Sequence, residues 1–349
     1  MSEVSKIFLS DKRALAQVDS LLAQEGIRRD KNLDYICGIY DEDYNLMATG
    51  SSYKNTLRCF AVDNKHQGEG LLNTVISHLI EKQHEKNNFS FFLYTKTKSA
   101  KFFRDLGFYP IAIVENEVVF MENQRTGFQN YLNRLVKESP EVSPDKKVAA
   151  IVMNLNPFTL GHQYLIEKAA SENDLVHIFI VSEDSSLVPF SIRKKLLLAG
   201  TAHLNNIVVH DSGSYIISSA TFPSYFQKDE ASVSRGHALL DITVFKQIAN
   251  KLKINRRYVG EEPFSVVTNL YNNIMLNELP KQGIDVVVVP RKDFCGEAIS
   301  ASKVRSYIKD GNFEALKNLV PQTTLDFFLS PESMSVRELI ARTENVIHH

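Results

Sequence analysis

Apolar and polar positions follow two different rhythms along this chain, and the change falls near residue 140. In the first part Leu15, Val18, Leu21 and Leu22 recur at helical spacing and predict an amphipathic helix over about 10–26. Short β-rich runs follow at 35–40, 45–51 and 57–62, separated by turn residues such as Asp41-Glu42-Asp43, and these predict an antiparallel meander. A helix over 72–80, a strand over 91–95, an aromatic helix within 100–108, a strand over 118–121 and a helix over 128–135 complete this part. Ser139-Pro140-Glu141-Val142-Ser143-Pro144-Asp145 carries two prolines and little to bury, and reads as a linker. The pattern therefore predicts one domain at 1–138, a linker at 139–147 and a second domain at 148–349.

The second part alternates apolar runs of strand length with helical segments, as a Rossmann-like, doubly wound parallel α/β sheet does. Strands are expected at 148–152, 175–181 and 207–210, within 256–263, where the strand is taken with its terminal loop, and at 285–290. Helices are expected after His162, behind a cap at Ser191, over 234–252 and 265–277, and in short form at 313–320 and 335–342. The Ser/Tyr/Phe-rich stretch from Asp211 to Phe226 has a length suited to a loop over a site.

Composition narrows the class. The 349 residues are 44% hydrophobic and 23% charged, which suits a globular protein and not a disordered one. A net charge of −1 gives no general electrostatic grip on nucleic acid. Cys37, Cys59 and Cys295 lack metal-ligand spacing, which fits a reducing cytoplasm, and no apolar run reaches the length of a membrane span.

Candidate chemistry gathers where strands give way to helices. Val148-Ala149-Ala150-Ile151-Val152 runs into Met153-Asn154-Leu155-Asn156-Pro157-Phe158-Thr159-Leu160-Gly161-His162 and then a helix. A buried strand, a tight loop and a helix start offer backbone N–H donors and a positive dipole end to a phosphate. Thr159 and His162, three apart, face the same way in a first helical turn, and Gly161 allows close backbone approach. Far downstream, Ile299-Ser300-Ala301-Ser302-Lys303-Val304-Arg305 follows another apolar run and gathers hydroxyls and an arginine at a second helix start. In the first domain, Lys65-His66-Gln67-Gly68-Glu69-Gly70 between a strand and a helix makes a nest of N–H groups suited to a pyrophosphate.

The paired loops in the second domain resemble the nucleotidyltransferases that carry a (T/H)-x-G-H loop and a late I-S-(S/A)-(S/T)-x-x-R signature. The Gly68-Glu69-Gly70 turn, together with Ala100 to Phe108, resembles the GNAT-type acetyltransferases, with Lys65 in place of the usual first loop residue. The combination over nearly the whole chain resembles the citrate lyase ligase family. That resemblance implies an AMP-forming acid–thiol ligase using ATP, magnesium and acetate, with the acyl carrier subunit of citrate lyase as partner. It implies that His162, Thr159 and Arg305 act in catalysis. ATP would be held through Asn154, Asn156, Phe158, Gly161, His162, Arg193, Gly260, Ser300, Ser302 and Arg305, with Glu262 a weaker candidate. Gly68 and Gly70 would receive the carrier's CoA-like prosthetic arm. His162 and Arg305 are expected to make no core contact. Two alternatives stay open: an adenylyltransferase of the pantetheine-phosphate or nicotinamide-mononucleotide type, and a GNAT acetyltransferase fused to a nucleotide sensor.

Overall fold

The computed structural model describes residues 3–30, 32–182, 186–216, 230–261, 266–344 and 346. Glu262 and residues 217–226 of the expected site loop lie outside them. The chain divides into two compact units, Met1–Tyr131 with Thr221–Thr243, and Leu132–Ala220 with Val244–His349.

The first unit contains β1 (Ser5–Ile7), α1 (Lys12–Gln24), β2 (Tyr35–Tyr40), β3 (Leu46–Tyr53), β4 (Thr56–Val62), α2 (Leu71–Glu85), β5 (Phe92–Thr95), α3 (Ala100–Asp105), β6 (Tyr109–Val114) and β7 (Val118–Glu122). The strands form one sheet in the order β1-β2-β3-β4-β5-β7-β6. Its neighbours are antiparallel except β4 and β5, which run parallel and pair only at Thr56–Phe92 and Leu57–Leu93. Past those pairs the two strands part, and a cavity of ≈ 580 Å³ opens beside Phe60, Val62, Gly68, Gly70, Tyr94 and Lys96. This is the GNAT-like α+β arrangement expected of the first domain. The expected elements are present, and β1 and β6 are additions to them. Neither strand stands out in the pattern, because β1 has three residues and β6 begins with a half-buried Tyr109 and an exposed Pro110 that blur the alternation.

Helix α4 (Gly127–Glu138) leads on to β8 (Val148–Met153), α5 (Leu160–Glu172), β9 (Leu175–Ile180), α6 (Phe190–Gly200), β10 (Ile207–Asp211), α7 (Glu230–Leu252), β11 (Arg256–Gly260), α8 (Val266–Glu278) and β12 (Asp285–Val289). A two-residue hairpin pair, β13 (Asp293–Phe294) and β14 (Glu297–Ala298), precedes α9 (Ala301–Lys309), α10 (Gln322–Leu329) and α11 (Met334–Arg342). The five-strand sheet has the order β10-β9-β8-β11-β12, all parallel. Central β9 is buried at every position and β8 at all but one, as strands covered on both faces must be, whereas β12 at the edge keeps Asp285 and Val288 exposed. The first strand of the domain therefore lies mid-sheet. The chain leaves it on one side through β9 and β10, then crosses to the other through β11 and β12. This reversal opens a crevice at the carboxyl ends of the strands, where ligands bind in such folds.

Ser191, expected as a cap, lies inside the first turn of α6; Pro189 is the capping residue and makes no side-chain cap bond. The short segment expected at 313–320 is a single 3-10 turn, Glu314–Asn318, and α10 follows it as a helix that the pattern did not separate from its neighbours.

Candidate active site

The loop after β8 enters α5 through a reciprocal cap. Thr159 Oγ1 accepts the His162 backbone N–H at 3.3 Å, and His162 Nδ1 accepts the Thr159 backbone N–H at 3.1 Å. This is a capping box in which histidine takes the usual place of Glu or Gln. Because Nδ1 is an acceptor, the proton of the neutral ring sits on Nε2. Burial, with a smaller contribution from the positive charge of Arg291, pushes the His162 pKa down to about 4. At neutral pH the residue is an uncharged Nε2–H donor held in one orientation.

Phe158 fixes the ring from behind. Its own ring is fully buried and lies parallel to that of His162, 12° apart with centroids separated by 6.2 Å. The space for Phe158 exists because residue 200 is glycine; a Cβ there would stand 2.4 Å from Phe158 Cε1. Phe158 was expected to touch the nucleotide. Its burial withdraws the side chain from any ligand and makes it the support of His162.

The second signature meets the first. Ser300 caps α9, its hydroxyl accepting the Lys303 N–H at 3.2 Å. A Cβ on Gly161 would stand 3.4 Å from the Ile299 carbonyl oxygen, so glycine sets the spacing between the two helix starts. Leu160 donates its N–H to Leu319 O at 2.9 Å, while the Gly161 N–H makes no hydrogen bond among the described residues. That N–H, the His162 Nε2–H and the start of α9 form a donor cluster of the kind that binds phosphate oxygens.

Two arginines expected to reach a ligand are instead built into the frame. Arg305 is 2% exposed. Its Nε donates to Val346 O at 2.6 Å, Nη1 to Asn156 O at 2.5 Å and Nη2 to Ser302 Oγ at 3.3 Å. It makes the core contact that it was expected to lack and ties the loop after β8 to α9. Burial lowers its pKa to about 10, which leaves it charged at neutral pH. Arg193 has no exposed surface, and its guanidinium donates to Val188 O, Val181 O, and both the backbone and side-chain oxygens of Asn154. An arginine in a helical sequence gives no sign of whether it points out or in. Here the carbonyls left by irregular loops drew both guanidinium groups inward.

Asn156 is buried, its Oδ1 accepting the Val188 N–H at 3.0 Å. Asn154 is exposed at the strand end. Gly260 closes β11 at the same edge of the sheet, with open space where a Cβ would stand and its carbonyl accepting from Asn272. Sequence reasoning gave no role to Arg291 and Lys292. Arg291 acts on His162 through its charge and donates to Glu261 O at 2.9 Å, and Lys292 lies 5.9 Å from the Tyr164 ring. The available signal was their place: two cations immediately beyond the carboxyl end of a parallel strand.

In the first unit, Gly68 and Gly70 take φ of 91° and 77°, in the left-handed region that favours glycine, and both leave open space at the Cβ position. Gly70 caps α2 without a side chain, so the helix start faces the cavity with its N–H groups uncovered by a cap.

Among the described residues no group of three His, Cys, Asp or Glu gathers to hold a metal ion, and no helix is long and apolar enough to cross a membrane.

A family model for the citrate lyase ligase C-terminal domain matches residues 148–328. The [citrate [pro-3S]-lyase] ligase of Klebsiella pneumoniae is 36% identical over 92% of this chain and 94% of its own length. That of Escherichia coli (strain K12) is 34% identical over 97% of both. A solved GNAT-family acetyltransferase from Staphylococcus aureus aligns with 36% of this chain and 100% of its own, at 15% identity and a TM-score of 0.30. With identity of this degree running through both units, the chain belongs to the citrate lyase ligase family.

Proposed function

We propose that this protein is an AMP-forming acid–thiol ligase that acetylates the thiol of the CoA-like prosthetic group on the citrate lyase acyl carrier subunit, and so activates citrate lyase. The observation that carries the chemistry is the junction of two helix starts at Gly161 and Ile299 beside an oriented His162. The names of the relatives support the ligase reading over adenylyl transfer to a phosphopantetheine or mononucleotide and over amine acetylation.

An acetate oxygen attacks the α-phosphorus of ATP. A new P–O bond forms as the bond from that phosphorus to the bridging oxygen of pyrophosphate breaks, and the leaving oxygen keeps the electron pair. No enzyme nucleophile is required. The chain's task is to hold the groups in line and to stabilise charge on the phosphoryl oxygens. His162 Nε2–H, the Gly161 N–H and the α9 start with Ser300 and Ser302 supply donors, and Arg291 and Lys292 supply charge. Thr159 and Phe158 hold His162, and Arg305 braces the loop through the Asn156 carbonyl. Gly260 leaves room at the β11 edge for the nucleoside. Magnesium is expected to arrive with the triphosphate as part of the substrate. The carrier thiol then attacks the acetyl carbon, the C–O bond to AMP breaks with its electron pair on AMP, and the thiol proton passes to solvent.

The domain limits proposed for this division of labour are 1–138, 139–147 and 148–349, in a cytoplasmic protein. The first domain receives the CoA-like arm, with its pyrophosphate at the Gly68-Glu69-Gly70 turn and its pantetheine in the cavity between β4 and β5. Exchange of labelled pyrophosphate into ATP tests the first half-reaction. It should depend on acetate, and adding the thiol carrier should turn it into net formation of AMP and a thioester that hydroxylamine cleaves. Exchange that requires a phosphopantetheine or a mononucleotide in place of acetate would replace the ligase reading with adenylyl transfer.

A further inference from the structure

Asn154 directly follows β8 and has a fixed amide. Its Oδ1 accepts from Arg193 Nη1 at 3.1 Å and from Ser186 Oγ at 3.0 Å. An amide whose oxygen is held by two donors has its orientation set by them, so the NH2 faces away. Among the described residues Asn154 Nδ2 has no hydrogen-bond partner, and the residue is exposed. Arg193, by contrast, is fully buried, and donates to Val188 O, Val181 O and both oxygens of Asn154, which suits it to holding the Asn154 amide in place.

The partners of Asn154 all come from one flank. Ser186 and Arg193 follow β9, whereas Gly161 borders Ile299, which follows β12 on the opposite side of β8. In-line displacement at phosphorus needs the entering and leaving oxygens on opposite faces. With pyrophosphate leaving on the α9 flank, the nucleophile enters from the β9 flank. We propose that Asn154 Nδ2 is the donor that binds the attacking carboxylate, with Ser186 and Arg193 as the residues that position it. One acid oxygen accepts the N–H while the other attacks the α-phosphorus. A neutral donor suits this task, because a cation would stabilise the carboxylate charge and weaken it as a nucleophile. The inference rests on the ligase reading given above.

The test uses the full-length protein, Asn154→Asp, Ser186→Ala and Arg193→Lys. Asp keeps the shape of Asn and replaces the donor by a second carboxylate oxygen. In pyrophosphate exchange, Asn154→Asp should raise the acetate KM at least about tenfold with the ATP KM within twofold, since a lost or reversed charge-assisted hydrogen bond is worth roughly a factor of ten or more. Ser186→Ala should raise the acetate KM about two- to threefold at unchanged Tm, a weakened restraint costing a fraction of one hydrogen bond. Arg193→Lys should move the acetate KM and not the ATP KM; if it fails to fold, Ser186→Ala carries the positioning test. Acetate binding is read separately from turnover, by line broadening of 13C-acetate in the presence of an ATP analogue with a non-cleavable α–β bridge. An unchanged acetate KM in Asn154→Asp, or an ATP KM that rises in step with it, overturns the assignment. If the wild type shows no acetate-dependent exchange, the ligase reading fails. The acetate titration then decides this inference alone: binding that Asn154→Asp abolishes supports an acid site at Asn154, and no binding to the wild type overturns it.

Discussion

His162 Nδ1 accepts the backbone N–H of Thr159 at 3.1 Å, so the cap of α5 and the tautomer of the proposed catalytic histidine are one arrangement. With its pKa at about 4, the ring stays neutral across the range in which a free histidine titrates. The rate of pyrophosphate exchange should therefore show no histidine limb between about pH 5.5 and 8. His162→Ala should lower the rate by about 10²–10³, the usual effect of removing one oriented donor to a charged transition state. A pH–rate profile that falls with a pKa near 6.5 and loses that fall in the variant would show that an imidazolium does the work instead.

Thr159 can be separated from His162 by the choice of substitution. Thr159→Ser keeps the hydroxyl and should retain most of the activity. Thr159→Val loses the cap, which typically costs about 1 kcal/mol of stability, and loosens the α5 start that carries His162. The rate should fall more than the stability does, with kcat affected before the ATP KM. Equal loss in the Ser and Val variants would remove the hydroxyl from the account.

Much of this site was legible in the chain. The loop from Asn154 to His162 and the start at Ser300 stood out because strand, glycine, hydroxyl and helix follow one another in a fixed local order. The parallel sheet followed from apolar runs such as Val148 to Val152. The direction of long side chains was not legible. Arg193 and Arg305 sit at helical positions whose sequence allows either face, and only the tertiary placement of the carbonyls at Asn154, Asn156 and Val346 decides that they turn inward. Phe158 was expected among the ATP-holding residues, and its burial was not legible because its partner Gly200 lies 42 residues away in sequence and leaves no local trace.

Arg305→Ala should therefore act on stability as well as rate. It removes a buried charge together with three hydrogen bonds and leaves the Asn156 and Val346 carbonyls unpaired. Unpaired buried acceptors cost about 1–3 kcal/mol each, so a loss of about 2–6 kcal/mol is expected for the two carbonyls. Thermal unfolding of the variant measures it. An unchanged Tm with a rate lowered by orders of magnitude would restore Arg305 to direct contact with pyrophosphate.

The first domain should bind without transferring. CoA added to the full-length protein should bind weakly, and Gly70→Ala should weaken it further, because Gly70 holds φ at 77° and any Cβ strains the turn that presents the N–H groups. No amine substrate should be acetylated from acetyl-CoA. Robust transfer to a peptide or polyamine would promote the acetyltransferase alternative.

A buried histidine pair should make the second unit sensitive to acid. His177 on β9 and His210 on β10 are buried, with His177 Nδ1 2.9 Å from His210 Nε2 and His210 Nδ1 2.9 Å from Glu138 Oε2. Arg134, Asp211 and Lys194 surround them: Arg134 donates to the Asp211 carbonyl, and Lys194 pairs with the Asp211 carboxylate at 2.6 Å. Burial pushes His177 down to about 3 and outweighs the raising effect of Glu138 on His210, which also lies below its ordinary value. Both groups therefore bind protons more weakly folded than unfolded. The unfolded chain takes up protons first as pH falls below about 6.5, so stability is full above that value and is lost as pH drops toward the folded pKa values. For His177 alone the loss between pH 7 and pH 5 is about 2 kcal/mol, from about 1.4 kcal/mol per proton per pH unit over the 1.5 units below 6.5. His177→Gln keeps a donor for His210 but cannot titrate. It should lower stability at pH 7, through imperfect packing, while reducing the difference between pH 7 and pH 5 by about the same 2 kcal/mol. Denaturant unfolding of both proteins at the two pH values measures this, and an undiminished difference in the variant would place the acid sensitivity elsewhere.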